Sequence, residues 1–147
     1  MSEIQTTEGN TTLSALCQAY DKGLILYFYP KDMTSGCTKQ AEFFRDEHEW
    51  FASLGYGIVG VSRDSMARHH KFIEKSGLNF PLISDASEAL CRDFSVIVEK
   101  SMYGRKYMGV DRSTFVLNRD AEIIKEWRGV KLAKHFDELK SYIAEGV

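Results

Sequence analysis

A short apolar segment, a loop and a helix that begins with a cysteine follow one another in the first third of the chain. Leu24 to Tyr29 (LILYFY) is short and rich in apolar and aromatic residues, which predicts a buried β-strand. Behind Cys37, side chains recur at helical spacing, at Ala41, Phe44, His48 and Phe51. This order restricts the chain to folds in which a buried strand is followed by a loop and then by a helix whose first turn contains the Cys37 thiol.

Cys37 occupies a position that favours a reactive thiolate. Thr34 or Ser35 can cap the helix and leave Cys37 in the first turn, where unpaired N–H groups and the positive end of the helix dipole stabilise the anion that attacks electrophiles. The Thr34 hydroxyl can hydrogen-bond both a thiolate and an incoming oxygen substrate. Pro30 fixes its own φ and disfavours helix at the preceding residue, so it holds the strand exit in one shape. The alternative is that Cys37 is a small buried apolar residue.

The spacing Pro30-x-x-x-Thr34-x-x-Cys37 resembles the active-site signature of the peroxiredoxins. The surrounding segment FYPKDMTSGCTKQAEFFRD is similar to the bacterioferritin-comigratory, or Q-type, branch of that family. The likeness covers residues 4 to 144 and includes Val59–Ser62, Asn79–Asp85, Leu90–Cys91, Gly104–Leu117 and Trp127–Val130. The resemblance implies an α/β thioredoxin-like fold, in which helices flank a mixed central sheet.

The resemblance also implies a mechanism. In this family a peroxide oxidises the cysteine to a sulfenic acid, and a partner thiol restores it, without a cofactor or a metal. The motifs assign Cys37, Thr34 and Pro30 to the catalytic site, and they assign the family's arginine to Arg112, just before the apolar segment STFVL. A planar, permanently charged donor favours the transition state, because attack by sulfur on a peroxide leaves charge on the departing oxygen. The alternative for Arg112 is a solvated arginine at a strand end.

The chain departs from the Q-type pattern in several places. Many members carry a second, resolving cysteine five residues after the first, where this chain has Glu42, so no short disulfide within the helix is expected. Ser35 replaces the usual proline before Gly36, and Gln40 replaces the usual glutamate. The customary N-terminal Ala-Pro-x-Phe is missing, and the short start at Glu3 to Thr7 is expected to be trimmed or poorly ordered.

Two other cysteines are candidates for resolving the sulfenic acid. Cys91 lies in the predicted helix Ala86 to Phe94, and Cys17 lies in the stretch from Leu13 to Tyr20. A disulfide requires Cα atoms within about 7 Å, and the alternative for each is a packed thiol. We therefore expect a one-cysteine mechanism, in which thioredoxin or another external thiol reduces Cys37, with Cys91 as the candidate resolving cysteine should one act.

Composition limits the class of protein. A length of 147 residues predicts one domain spanning residues 1–147, with a core that needs no disulfides. Three cysteines without paired spacing and no leader-like or long apolar segment favour a cytoplasmic protein outside the membrane. A net charge of −2 with scattered cations predicts no nucleic-acid binding. The assembly is expected to be a monomer or a weak homodimer.

The remaining pattern predicts alternating strands and helices. Strands are expected at Gly57–Val61, Phe80–Ile83, Ser113–Leu117 and Glu122–Trp127, the last two forming a hairpin, and helices at Met66–Lys75 and Leu132–Ile143. The helix behind Cys37 is expected to continue to Leu54. The segment from Val98 to Val110 is predicted to be a long loop, which can serve as a lid, a partner surface or a plain connection.

Several apparent signals carry no function. Gly55-x-Gly57-x-x-Gly60 matches a dinucleotide fingerprint, but it follows a helix and enters a strand, which is the wrong order. His69 and His70 are adjacent on a helix and point in different directions, so they cannot share a metal. His48 and His135 are expected to be hydrogen-bonded or solvated.

These observations predict a peroxidase that acts on hydrogen peroxide or small organic hydroperoxides through Cys37. A redox sensor or holdase is the alternative from another class, since Glu42 removes the near resolver and prolongs the oxidised state. A third hypothesis is a degenerate family member in which Ser35 and Gln40 have weakened catalysis. Sustained turnover with a thiol reductant distinguishes the peroxidase from the other two.

Overall fold

The structure, a computed structural model, describes residues 3–145. The strands are β1 (Ile4–Thr6), β2 (Gly9–Thr11), β3 (Gly23–Phe28), β4 (Tyr56–Ser62), β5 (Leu82–Ser84), β6 (Ile97–Met102), β7 (Arg105–Val110), β8 (Ser113–Asn118) and β9 (Ile123–Trp127). The helices are α1 (Leu13–Gln18), α2 (Ser35–Asp46), α3 (His48–Ser53), α4 (Met66–Ser76), α5 (Ala89–Asp93) and α6 (Leu132–Glu145). Seven strands form one mixed sheet in the order β2-β1-β5-β4-β3-β8-β9, and β6 and β7 form a separate hairpin.

The central strand β3 is buried on both faces, as its uninterrupted apolar sequence predicts. Its side chains alternate between two apolar clusters, because successive residues of a strand point to opposite faces. We call these the α1/α5 face, which contains Leu26 and Phe28, and the α2/α6 face, which contains Tyr27 and Tyr29. Helices α2, α3, α4 and α6 contribute to the second face. The predicted α/β architecture with a mixed sheet is therefore found.

Strand directions bring distant segments to one edge of the sheet. β3 and β4 are parallel, so the loop after β3 and the loop after β4 leave from the same edge. β8 runs antiparallel to β3 and pairs Ser113 with Phe28, so the residue before β8, Arg112, lies where β3 ends. The sheet thus assembles three loops around the start of α2.

Three predicted elements differ from the structure. The helix behind Cys37 ends at Asp46 and a separate helix, α3, begins at His48. The predicted loop from Val98 to Val110 is the β6–β7 hairpin, whose turn places Tyr103 at φ 52 and Gly104 at φ 79. Two successive residues of positive φ match the right-handed twist of the flanking strands. The short start of the chain forms β1, which pairs with β2 and, through Thr6 and Ile83, with β5.

Candidate active site

Cys37 lies in the first turn of α2, as predicted, and its residue is only 2% exposed. The N-cap residue is Thr34, but its side chain makes no capping hydrogen bond, so the predicted side-chain cap is wrong. The Thr34 hydroxyl instead donates to the carbonyl of Lys31 at 3.0 Å. The hydroxyl proton is therefore engaged, and the lone pairs of the oxygen are available to an O–H donor from a substrate.

Arg112 contacts Cys37 directly. Its Nη2 lies 3.5 Å from the Cys37 Sγ, and its Nη1 donates to Gln40 Oε1 at 2.6 Å. The backbone of Arg112 is fixed as well, because its carbonyl accepts a hydrogen bond from Val130 N at 2.9 Å. The guanidinium therefore bridges two residues of the first turns of α2, and one of its nitrogen atoms faces the sulfur.

The guanidinium of Arg112 lies close to the backbone at Gly36. A Cβ atom at Gly36 would lie 3.2 Å from Arg112 Nη2, closer than most Cβ contacts in proteins. Gln40 is fully buried and, within residues 3–145, its Nε2 has no hydrogen-bond partner. Gly36 thus leaves room for the Arg112 guanidinium, and the buried Gln40 amide oxygen accepts a hydrogen bond from that guanidinium.

Burial dominates the electrostatics around Cys37. The pKa of the Tyr27 hydroxyl is raised well above its usual range, first by burial and then by the nearby charge of Cys37, while Arg112 acts in the opposite direction. Burial also lowers the pKa of Lys100, against the attraction of Asp111 and Cys37. Lys100 belongs to β6, so the β6–β7 hairpin borders the site.

The loop between β3 and α2 contains Pro30, and Asp32 fixes its path. All four polar groups of Asp32 are paired. In the side chain, Oδ1 accepts a hydrogen bond from Tyr29 Oη at 2.6 Å, and Oδ2 lies 2.6 Å from His69 Nδ1. In the backbone, the Asp32 N–H donates to Asp64 Oδ2 at 2.9 Å, and the Asp32 carbonyl accepts from Arg68 Nη2 at 3.1 Å. The loop that carries the signature residues is therefore tied to β4 and α4.

His69 is a buried member of this site that the sequence analysis missed. It is fully buried, and its Nε2 lies 2.8 Å from the Ile83 carbonyl oxygen. The adjacent pair His69 and His70 indicated only that the two side chains could not share a metal. Its spacing to the buried Phe72, three residues later on α4, places it on the inner face of the helix, and that spacing was the available signal.

The two other cysteines lie on the opposite side of the sheet. Cys17 and Cys91 are fully buried in the α1/α5 face, whereas Cys37 belongs to the α2/α6 face. Burial raises the pKa of the Cys17 thiol to about 11. The pKa of Cys91 is also strongly raised, by burial first and then by the Asp85 carboxylate. The structure therefore does not bring either candidate resolving thiol to Cys37.

Residues 3–145 contain no cluster of three or more His, Cys, Asp or Glu side chains that could hold a metal ion. None of the helices in the same range combines the length and the apolar character that crossing a lipid bilayer demands.

Comparisons with known proteins identify the family. The model of the AhpC/TSA family matches residues 2–126. The chain is 50% identical to Peroxiredoxin Bcp of Bacillus subtilis over 80% of this chain and 74% of that protein. The chain is a peroxiredoxin. It belongs with the bacterioferritin-comigratory or Q-type members that the sequence motifs predicted.

Solved structures agree with this assignment. Xanthomonas campestris peroxiredoxin Q superposes on this peroxiredoxin with a TM-score of 0.89 and 42% identity, over 98% of this chain and 90% of that one. The Xanthomonas campestris bacterioferritin comigratory protein, studied in trapped intermediate and ligand complexes for its alkyl peroxide reduction activity, gives a TM-score of 0.87 and 40% identity over 99% and 91% of the two chains. The predicted thioredoxin-like fold and peroxidase class are confirmed, and this peroxiredoxin is a thiol-dependent peroxidase.

Proposed function

We propose that Cys37 is the peroxidatic cysteine and that the enzyme reduces hydrogen peroxide and small organic hydroperoxides. The observation that carries this proposal is the 3.5 Å contact between Arg112 Nη2 and the Cys37 Sγ in the first turn of α2. The permanent positive charge of Arg112 thus faces the sulfur at contact distance, and the thiolate is the form of cysteine that attacks an electrophile. The alkyl peroxide reduction of the Xanthomonas campestris relative supports the substrate class.

The chemical step is a displacement at oxygen. The Cys37 thiolate attacks the terminal oxygen of the hydroperoxide, the S–O bond forms as the O–O bond breaks, and the departing oxygen leaves as an alcohol or water after taking a proton. Arg112 stabilises the charge that develops on the departing oxygen. The Thr34 oxygen accepts the hydroperoxide O–H, because its own proton is engaged with Lys31. Pro30 fixes the strand exit from which this loop begins. No step requires a metal or an organic cofactor.

The sulfenic acid that results is reduced by an external thiol. A thiol attacks the oxidised sulfur and forms a mixed disulfide with release of water, and a second thiol of the reductant then restores Cys37 and leaves the reductant as a disulfide. Cys17 and Cys91 lie across the sheet, and the helical position of the near resolver is Glu42. Thioredoxin, or another cytoplasmic dithiol protein, is the proposed reductant of a monomer or weak homodimer.

A redox sensor is the second candidate, and one observation favours it. With Glu42 in place of a near resolver, the oxidised form persists until an outside thiol arrives. Continuous peroxide consumption in the presence of a dithiol reductant, at a rate proportional to enzyme, supports the peroxidase. A single stoichiometric oxidation without turnover supports the sensor.

The assignment of Cys37 and Arg112 is tested by substitution. Cys37→Ser should abolish peroxide consumption, whereas Cys91→Ser should retain it, because Cys91 is buried on the opposite face of the sheet. Arg112→Ala should slow oxidation of Cys37 by about 10²–10³-fold, the scale for removing one preorganised donor. Peptide mass spectrometry after one equivalent of hydrogen peroxide, with a dimedone-type trap, identifies the oxidised sulfur. A disulfide between Cys37 and Cys91 or Cys17 would refute the one-cysteine mechanism.

A further inference from the structure

Asp32 is more tightly held than any role in the chemical step requires. Its four polar groups are paired with Tyr29, Asp64, Arg68 and His69, and within residues 3–145 no hydrogen bond joins its side chain to the Cys37 sulfur. We propose that Asp32 and His69 form a positioning pair that fixes the catalytic loop, so that His69 controls the rate of peroxide attack without touching the substrate. This inference rests on the proposed role of Cys37.

The side chains of the pair share one buried proton. Asp32 is 1% exposed and His69 is fully buried, so neither group exchanges its partner for water. His69 Nε2 faces a carbonyl oxygen, which can only accept, and therefore carries hydrogen. His69 Nδ1 faces the Asp32 carboxyl at 2.6 Å, a distance that requires a proton between the two atoms. Removal of either partner leaves one buried atom of the other, Asp32 Oδ2 or His69 Nδ1, without its hydrogen-bond partner, which favours release of the loop.

The pair acts on a strained part of the backbone. Met33, the residue after Asp32, has a φ of 62°, a conformation that residues other than glycine rarely adopt and that persists only when surrounding contacts enforce it. Thr34 follows and begins α2, and Cys37 lies in the first turn. Loss of the Asp32 anchor would therefore allow Met33 to relax, and the start of α2 would shift relative to Arg112.

A shift of this kind changes reactivity steeply. The Arg112 Nη2 already stands at 3.5 Å from the sulfur, so further separation weakens the contact that the proposed mechanism uses. Misplacement of reacting groups by about 1 Å can reduce a rate by on the order of 100-fold. The same shift would also expose the Cys37 sulfur to solvent, because Cys37 is buried in the structure.

Neighbouring histidines on α4 provide a matched test. His69→Ala removes the buried partner, and His70→Ala removes an exposed imidazole one residue away on the same helix. Stopped-flow fluorescence measures oxidation of Cys37 by hydrogen peroxide, and iodoacetamide alkylation measures access to the sulfur without peroxide. Circular dichroism at the assay temperature confirms folding. We expect His69→Ala to slow oxidation about 10–100-fold and to speed alkylation several-fold, about the range that loop misplacement predicts, and His70→Ala to leave both rates within about twofold.

Two conservative variants keep the test decisive if His69→Ala does not fold. Asp32→Asn can still donate to Nδ1 and accept from Tyr29, so it should retain most of the oxidation rate, whereas Tyr29→Phe loses one anchoring bond and should slow oxidation about 3–10-fold. A folded Tyr29→Phe that matches wild type in both rates overturns the inference, as does a folded His69→Ala with wild-type rates. If peroxide does not oxidise wild-type Cys37, the proposed function fails, and alkylation alone still decides the positioning role.

Discussion

His135 should make the stability of this enzyme fall as the pH is lowered from about 6.5 toward 4. The residue is 1% exposed, its Nε2 lies 2.9 Å from Thr114 Oγ1, and its ring packs edge-on against Trp127. Burial lowers the pKa of His135 to about 4 in the folded protein. In the unfolded chain the pKa of a histidine is about 6.5, so the unfolded state binds more protons between these two values.

The difference between the folded and unfolded pKa of His135 sets the direction and the size of the pH effect on stability. Because the unfolded state takes up the proton first, the contribution of neutral His135 to stability is fully present above about pH 6.5 and is lost as the pH falls toward 4. At pH 5 the loss in free energy of unfolding is about 2 kcal/mol, because pH 5 lies about 1.5 units below the unfolded-state pKa and each of these units is worth about 1.4 kcal/mol. This is a large part of the roughly 5–15 kcal/mol that stabilises a typical domain.

Urea unfolding at pH 7, 6 and 5, followed by tryptophan fluorescence and circular dichroism, measures this loss. The variant His135→Gln keeps a hydrogen-bonding side chain near Thr114 but cannot take up a proton, so its stability should fall about 2 kcal/mol less than that of wild type between pH 7 and 5. His70→Gln, which makes the same substitution at an exposed position of α4, is the matched control. Equal losses in wild type and His135→Gln would refute the argument.

Two further predictions concern Cys37 and its surroundings. Gly36→Ala places a methyl group 3.2 Å from Arg112 Nη2 and should slow oxidation of Cys37 about 10-fold, because the guanidinium must move away from the sulfur. Stopped-flow fluorescence measures this rate, and an unchanged rate in a folded variant would contradict the claim that Gly36 leaves room for Arg112. Iodoacetamide at pH 7.5 should modify Cys37 of the native protein faster than Cys17 and Cys91, because burial raises the pKa of those two thiols, whereas the Arg112 guanidinium lies beside the Cys37 sulfur. Peptide mass spectrometry measures the labelling, and equal labelling of Cys91 would contradict this prediction.

The parts of the site that the sequence predicts are those with a local or motif signal. The apolar run before Pro30 indicates β3, the cysteine spacing places Cys37 in the first turn of α2, and the STFVL segment places Arg112 at a strand start. Antiparallel pairing of β8 with β3 then brings Arg112 to the sulfur. The motif therefore encodes a contact between residues that are far apart in the chain.

The parts that the sequence does not predict depend on distant contacts. The Asp32–His69 pair joins residues 37 positions apart, and neither residue has a local pattern that names the other. The hairpin β6–β7 was predicted as a loop because its strands are largely exposed and its turn contains Tyr103, which is not a typical residue at positive φ. The absent side-chain cap at Thr34 has a similar cause, because the hydroxyl donates to the Lys31 carbonyl instead.

The position of the thiols determines what can happen to an oxidised Cys37. A disulfide needs Cα atoms within about 7 Å, and the central sheet, buried on both faces at β3, stands between Cys37 and the face that holds Cys17 and Cys91. An internal bridge would therefore require Cys17 or Cys91 to leave the face in which it is buried, whereas an external thiol could approach Cys37 from the α2 side. That turn is joined to the sheet through Met33 and Asp32, and Asp32 is held by α4. If Cys37 is oxidised as proposed, an external thiol would therefore have to move the same contacts that position the sulfur for attack on the peroxide.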